Sequence, residues 1–574
     1  MSWAKRRLMI IVGVIALFVL LIFLMSLPGW IPSKSVLVLD INGAIEEQRA
    51  EDFLTYVNGG GPPVLHDYVD AIDTAKDDSR ISGIVVRVGP LATGWAKLEE
   101  IRAHLLAFRA SHKPTICYLG YDGVGNPEYY LASACEKIWL VPTSNLGVRG
   151  MMAEALFLRG TFDKLKIVPD YYHIAEYKTA SNQFTEKKFT PAHREEVESL
   201  LHSIYDRYIS EVAEARGMNP AAFSSLVEKG PFLAGEAVEN KLVDRLAYWD
   251  QVQTFFEQQT KTWQPVDLER YRMEIKNFGS YKIAVVHATG LIVSGNSQNS
   301  PGGGFIMGGD SVASDLRRAT NDSSIKAIIL RVDSGGGSAL ASEVIRRAVI
   351  LAKQKKPVVV SMSDVAASGG YWIAMSADKI VADPNTITAS IGVLSGKFNL
   401  SGLYDLIGLS TDSVATSDNA SMYSDQQNFT PAQRDALMKS MQDIYSNFTE
   451  DVAEGRKIPL EQVQKIAKGR VWSGDQAKGF GLVDELGGLD RAIAVAKNLA
   501  HIPAGESVRI VRFPVEKTFW ETFFEKQRSM NAQAAWSDSS SLESSSLQAF
   551  VHRLVEFSAA EPVQARMPFD LRIR

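Results

Sequence analysis

The 574-residue chain is too long for one hydrophobic core, so its length predicts three or four folding units. Its 46% hydrophobic and 22% charged residues are those of a globular protein and exclude a disordered chain. A net charge of −5, with no long basic run beyond the N-terminus, gives nucleic acid no footing.

The N-terminus carries the first local signal. Leu8 to Leu27 is an apolar run without a charge, about the length that crosses a bilayer core. Lys5, Arg6 and Arg7 precede it and Pro28 follows. The basic cluster predicts a cytoplasmic N-terminus and a chain that emerges on the far side of the membrane. The rival reading is a cleaved signal peptide. Its A-x-A-like site is missing from Met25-Ser26-Leu27-Pro28-Gly29-Trp30, which favours a retained anchor.

The remainder contains one domain twice. Ile81-Ser82-Gly83-Ile84-Val85-Val86-Arg87-Val88 recurs as Ile325-Lys326-Ala327-Ile328-Ile329-Leu330-Arg331-Val332. Lys113-Pro114 recurs as Lys356-Pro357, and Glu136-Lys137-Ile138 as Asp378-Lys379-Ile380. Phe189-Thr190-Pro191-Ala192 recurs as Phe429-Thr430-Pro431-Ala432, and Leu242-Val243-Asp244 as Leu482-Val483-Asp484. Matches in one order, at a spacing of about 240 residues, mean two whole domains rather than solenoid repeats. The expected division is an anchor at 1–33, a first copy at 34–270, a second copy at 271–514 and an extension at 515–574. Cys117 and Cys135, the only cysteines, are too few for a disulfide framework or a cysteine metal site. They read as two thiols inside the fold, with a single disulfide left open for an extracytoplasmic domain.

In the second copy, Ile283–Ala288, Ala327–Val332, Val358–Met362 and Ile380–Ala382 read as strands. Val344–Lys353 and Tyr371–Ala377 read as helices. Alternation of this kind predicts an α/β fold with largely parallel strands and right-handed crossovers. Ser537–Ser546 is Ser-rich and reads as a solvated linker, with Leu547–Phe557 a terminal amphipathic helix.

The copies differ where chemistry is expected. Asp333-Ser334-Gly335-Gly336-Gly337-Ser338 ends a strand in a glycine-rich turn that can bare N–H groups to an anion. The first copy has Gly89-Pro90-Leu91-Ala92-Thr93-Gly94 there. One strand later, Ala366-Ala367-Ser368-Gly369-Gly370-Tyr371-Trp372 places a serine at a strand-to-helix turn, with the Gly369 N–H beside it. The plain alternative for Ser368 is a helix N-cap. Opposite Ser368, Gly369 and Gly370 the first copy has Asn126, Pro127 and Glu128, which supply no hydroxyl nucleophile. None of the nine histidines shows a triad signature. A lysine serves as base only if its pKa falls, because an unshifted one is neutral in about 0.04% of molecules at pH 7.

The anchor, the tandem copies and the Ala366–Trp372 motif resemble the long form of the signal peptide peptidase A (protease IV) family. That resemblance implies tandem crotonase/Clp-protease-like domains and a Ser/Lys dyad, with the serine in the second copy and the lysine in the first. The family's lysine motif matches Glu176-Tyr177-Lys178-Thr179-Ala180. Lys178 is therefore the expected general base and Ser368 the nucleophile. Aligned on the Phe-Thr-Pro-Ala segments, Lys178 faces Asp418, so each copy lacks one partner. From sequence alone Lys187 and Lys188 compete with it. Gly369 and one of Gly336 or Gly337 are the expected oxyanion donors. Ser390, in Thr388-Ala389-Ser390-Ile391-Gly392, matches a family serine that hydrogen-bonds the lysine, or is a polar turn residue. The family turn usually reads Asn-Ser-Pro-Gly-Gly, so Asp333 and Gly335 are departures, and Gly335 lacks the fixed φ of a proline. The resemblance also implies signal peptides and other hydrophobic peptides as substrates, a homotetramer, and a bacterial inner-membrane location with the catalytic domains in the periplasm. The sequence carries no metal or nucleotide signature, so no metal or cofactor is expected. A crotonase-like acyl-CoA enzyme and a catalytically decayed membrane scaffold are the competing readings.

Overall fold

Apolar runs such as Ile325–Val332 are long enough for a strand and have almost no polar side to give to water. Such strands need cover on both faces. A computed structural model describes residues 31–49, 62–275, 277–299 and 305–515, and two C-terminal strands at 563–566 and 572–573. The expected anchor, the Ser-rich stretch and the helix Leu547–Phe557 lie outside these residues. Among the described residues no helix is long and apolar enough to cross a membrane.

Each copy folds around its own sheet. The first runs Pro265–Asp267, Ser35–Gly43, Ile81–Leu91, Thr115–Leu119, Lys137–Leu140, Arg245–Leu246, with every pairing parallel. The second repeats that order with Val508–Phe513, Tyr281–Thr289, Ile325–Ser334, Val358–Ala367, Lys379–Ala382 and Glu485–Leu486. One length differs decisively. The strand Thr115–Leu119 has 5 residues, whereas Val358–Ala367 has 10. The added half pairs with Ile387–Ala389, which in turn pairs with Val471–Ser473. This extension ends just before Ser368.

The recurring motifs do the same job in both copies. Thr190 and Thr430 cap the long helices Pro191–Ala215 and Pro431–Arg456, with proline at the first turn where its missing N–H costs nothing. Asp244 accepts from the Ile138 N–H at 2.7 Å, and Asp484 from the Ile380 N–H at 2.8 Å. Lys113 donates to the carbonyls of Ala75 and Asp78, and Lys356 to those of Ala319 and Asp322. The repeated residues are thus caps and clasps of one domain design.

Three expectations change. Cys117 and Cys135 are joined in a disulfide, not held as separate thiols. The helix expected at Val344 starts at Ala339, because the Ser338 hydroxyl caps the Ala341 N–H. The helix expected over Tyr371–Ala377 is only Gly369–Trp372, followed by turns in which Ala374 and Ala377 bond three residues back.

The copies meet over buried charge. Arg331, in the second, donates to Glu47 at 2.9 and 3.0 Å and to Glu100 at 2.8 Å, both in the first. It also reaches Ser361 at 2.8 Å, and the Ser363 hydroxyl donates to Glu47. Lys97 pairs with Asp333 at 2.8 Å and Asp364 at 3.4 Å. The seam also has a backbone part. The first copy's strand Val168–His173 runs antiparallel to the second copy's Leu394–Asn399 over six residue pairs.

Removing one partner from such a buried cluster leaves the others uncompensated. Arg331→Ala should lower the unfolding free energy of the described domains by roughly 3–5 kcal/mol. Guanidinium unfolding of the full chain checks this, and a loss under about 1 kcal/mol would show that the cluster is not what joins the copies.

Candidate active site

Four segments converge where the extended strand Val358–Ala367 ends. Ser368 follows that strand with φ 56° and ψ −113°, a conformation that costs a non-glycine residue of order 1–3 kcal/mol. Its N–H is held by the Ala389 carbonyl at 2.7 Å. Its hydroxyl makes no capping bond to the helix it precedes, which removes the N-cap reading. Ala389 and Ser390, just past the neighbouring strand, also have positive φ, 66° and 52°. Three residues with positive φ thus lie side by side here.

Lys178 arrives from the other copy. It lies in the loop after the seam strand Val168–His173, so the cross-copy pairing with Leu394–Asn399 sets where that loop runs. The loop is pinned twice more: the Ile174 N–H donates to the Val393 carbonyl at 2.9 Å and the Tyr177 N–H to the Lys468 carbonyl at 3.0 Å. Gly469, with φ +81°, lets this approach happen. A Cβ there would meet the Lys178 N at 2.5 Å.

The Lys178 Nζ lies 2.6 Å from Ser368 Oγ and 3.0 Å from both the carbonyl and the hydroxyl of Ser390. Both Lys178 and Ser368 are fully buried. Burial holds the Lys178 amine well below the usual lysine range, opposed only in part by the charge of Glu196. The Ser390 hydroxyl also reaches the Gly469 carbonyl at 3.2 Å, and its N–H the Arg470 carbonyl at 2.9 Å. Of the competing lysines, Lys187 is exposed and pairs with Asp163 at 2.7 Å. Asp418, opposite Lys178 in the alignment, is exposed on a short 3-10 turn.

The glycine-rich turn lies on the other side of Ser368. Gly370 packs against the Ser334 carbonyl. Ser334 Oγ donates to the Gly290 carbonyl at 2.6 Å and accepts the Gly336 N–H at 3.1 Å. That bond stiffens the turn where proline is lacking, and it engages the Gly336 N–H. Gly337 has φ +153°, and a Cβ there would meet the Ile292 carbonyl at 2.1 Å. Asp333 stands in the seam: one oxygen takes Lys97 and the other accepts the Val365 N–H at 3.2 Å.

The chain's own segment Val563–Arg566 lies between two strands beside these groups, antiparallel to Gly336–Ser338 on one side and to Leu394–Ser395 on the other. Those two strands can each offer a backbone edge to an extended segment. Nothing in the sequence signals this four-residue strand. Away from these strands, Asp73, His104 and Asp490 form a cluster that could hold a metal. His104 faces Asp73 at 2.7 Å and Asp490 at 3.5 Å. Despite burial, these carboxylates raise its pKa to about 9, which describes an imidazolium held between two carboxylates.

The model of peptidase family S49 matches this chain twice, over residues 107–262 and 350–503, once in each copy. The chain is 32% identical over 489 residues to the serine protease SPPA, chloroplastic, of Arabidopsis thaliana, covering 83% of this chain and 71% of that protein. It is 34% identical over 454 residues to protease 4 of Salmonella typhi, covering 76% and 72%. Protease 4 of Haemophilus influenzae is 31% identical over 511 residues, covering 82% and 80%. A duplicated α/β domain, a strained serine against a buried lysine, and relatives of this extent agree: the chain belongs to peptidase family S49.

Proposed function

We propose that the protein is a membrane-anchored serine endopeptidase in which Ser368 attacks a peptide carbonyl and Lys178 is the general base. The observation that carries this reading is the 2.6 Å contact between a buried lysine amine and the hydroxyl of a strained serine. A neutral Lys178 takes the proton from Ser368 Oγ as the hydroxyl attacks. Gly369 and Gly337 supply N–H groups to the tetrahedral oxyanion. The lysine then protonates the leaving amine, and water releases the acyl group. Ser390 orients the Lys178 Nζ toward the serine. A crotonase-like enzyme has no use for the lysine contact. A decayed scaffold has no reason to keep the backbone strain, and Asp333 is explained by its pair with Lys97.

The substrates are hydrophobic peptides, such as signal peptides left in a membrane. The two backbone edges flanking Val563–Arg566 support an extended peptide as ligand. The apolar run Leu8–Leu27 and its basic flank support an inner-membrane anchor with the catalytic copies on the periplasmic side. The disulfide suits an oxidising compartment. Protease accessibility in intact and permeabilised spheroplasts checks that orientation. Sedimentation of the detergent-solubilised chain checks the homotetramer.

Ser368→Ala and Lys178→Ala should each abolish labelling by a serine-directed phosphonate and lower kcat by at least about 10³-fold. Activity that survives Lys178→Ala at neutral pH would rule out the lysine as base.

The sign of the pH dependence follows from the depressed lysine pKa. Activity is present above that pKa and is lost as pH falls through it. The acid limb of kcat/KM should therefore lie far below the ~10.4 of a free lysine.

Ser390→Ala removes one of the hydrogen bonds that aim the Lys178 Nζ. A fall of about ten-fold in kcat with little change in KM is expected from steady-state kinetics on a hydrophobic peptide.

A further inference from the structure

Helix Pro191–Ala215 turns one fully buried carboxyl, that of Glu196, into the seam between the copies. Its Oε1 bonds the Thr179 hydroxyl at 2.8 Å, and its Oε2 accepts the Val471 N–H at 3.1 Å. Thr179 directly follows Lys178. Val471 directly follows Gly469 and Arg470, whose carbonyls hold the hydroxyl and N–H of Ser390. One carboxyl thus ties the loop that carries the lysine to the segment that holds the lysine's hydrogen-bond partner.

Burying an acid costs several kcal/mol unless its bonds or its charge are used. The second copy shows that the helix does not need one here. Aligned on the Phe-Thr-Pro-Ala segments, Glu196 falls opposite Ala436, just as Lys178 falls opposite Asp418. The acid is present in the copy that has the lysine and absent from the copy that lacks it.

We propose that Glu196 is the positioning residue of the general base, clamping the Lys178 loop to the Gly469–Val471 segment and coupling its own charge to that of the lysine. This rests on the Ser368–Lys178 reading.

The electrostatics agree with the geometry. Burial pushes the Glu196 carboxyl up to about 8, against its bonds to Thr179 and Val471 and the charges of Lys178 and Arg470. Burial pushes Lys178 down, and Glu196 is the charge that opposes this. The other charge facing Glu196 is the Arg470 guanidinium, which is paired on its outer side with Glu195 at 2.7 Å. At neutral pH the Glu196 carboxyl then stands largely protonated beside an amine whose ammonium form burial disfavours. In that form Glu196 donates to Thr179 Oγ1 rather than accepting from it, and the clamp is kept. As pH rises through about 8 the carboxyl ionises and favours the ammonium form of Lys178.

The test uses the full chain in detergent, with kcat and KM for a hydrophobic peptide measured across pH. Glu196→Gln keeps both hydrogen bonds and removes the ionisation. Its kcat should stay within three-fold of the parent at neutral pH. The alkaline ionisation near pH 8 should vanish from its profile, leaving the single ionisation of Lys178. Glu196→Ala breaks the clamp and should lower kcat at least ten-fold, with KM changed less than two-fold. A parental pH profile in Glu196→Gln overturns the proposal, as does a parental kcat in folded Glu196→Ala. If Glu196→Ala does not fold, the Glu196→Gln profile decides alone. Ser368→Ala and Lys178→Ala run alongside. If those remain active, the dyad reading fails. If they are inactive while the Glu196 variants match the parent in kcat and pH profile, only this inference fails.

Discussion

Keeping water away from a lysine amine disfavours its ammonium form. In this protein neither copy of the domain can do that alone. Lys178 belongs to the first copy, yet the groups around its Nζ, Ser368 and Ser390, belong to the second. The seam between the copies is therefore the dry site, and the alignment of the two domains lowers the pKa of Lys178. The two copies divide the work: the second has the longer strand and presents the serine, and the first carries the lysine loop that reaches across.

Holding that seam takes more than apolar contact. Hydrophobic packing is non-directional and would tolerate a small slide between domains, whereas a 2.6 Å contact would not. Two directional devices fix the register. Arg331 bridges Glu47 and Glu100 with planar geometry that admits one arrangement. The antiparallel ladder of Val168–His173 on Leu394–Asn399 admits only steps of a whole residue. Asp333 belongs to the same system: its charge is matched by Lys97 across the seam.

Three backbone outliers on the second-copy side surround the lysine amine. Ser368, Ala389 and Ser390 all have positive φ. The surrounding sheet over-determines them through the pairing of Val365–Ala367 with Ile387–Ala389 and the bond from the Ser368 N–H to the Ala389 carbonyl. Parallel strands buried on both faces form a rigid base for such residues. The element needed for reach, the Lys178 loop, is supplied by the other copy and tied down at Ile174, Tyr177 and Thr179.

Much of this was legible in the residues. The α/β class, the duplication and the core strands follow from β-branched runs and repeated caps, whose causes are local. Ser368 stood out because small residues and a glycine turn surrounded it, and Lys178 through its motif and its contrast with Asp418. Helix ends were read less well, since the Ser338 cap and the short helix after Ser368 depend on single hydrogen bonds. Tertiary structure alone decided which distant groups meet. Ser368 and Lys178 are 190 residues apart, Arg331 and Glu47 are 284 apart, and Glu196 and Val471 are 275 apart. No local periodicity encodes a contact at such separations. The Cys117–Cys135 disulfide, which the residues left open, and the strand Val563–Arg566, which they did not signal, each depend on a partner surface that exists only once the sheets have formed. The sequence by itself determined two domains, their strands and the chemical types available. The packing of one domain on the other decided that a lysine would be dry and a serine within its reach.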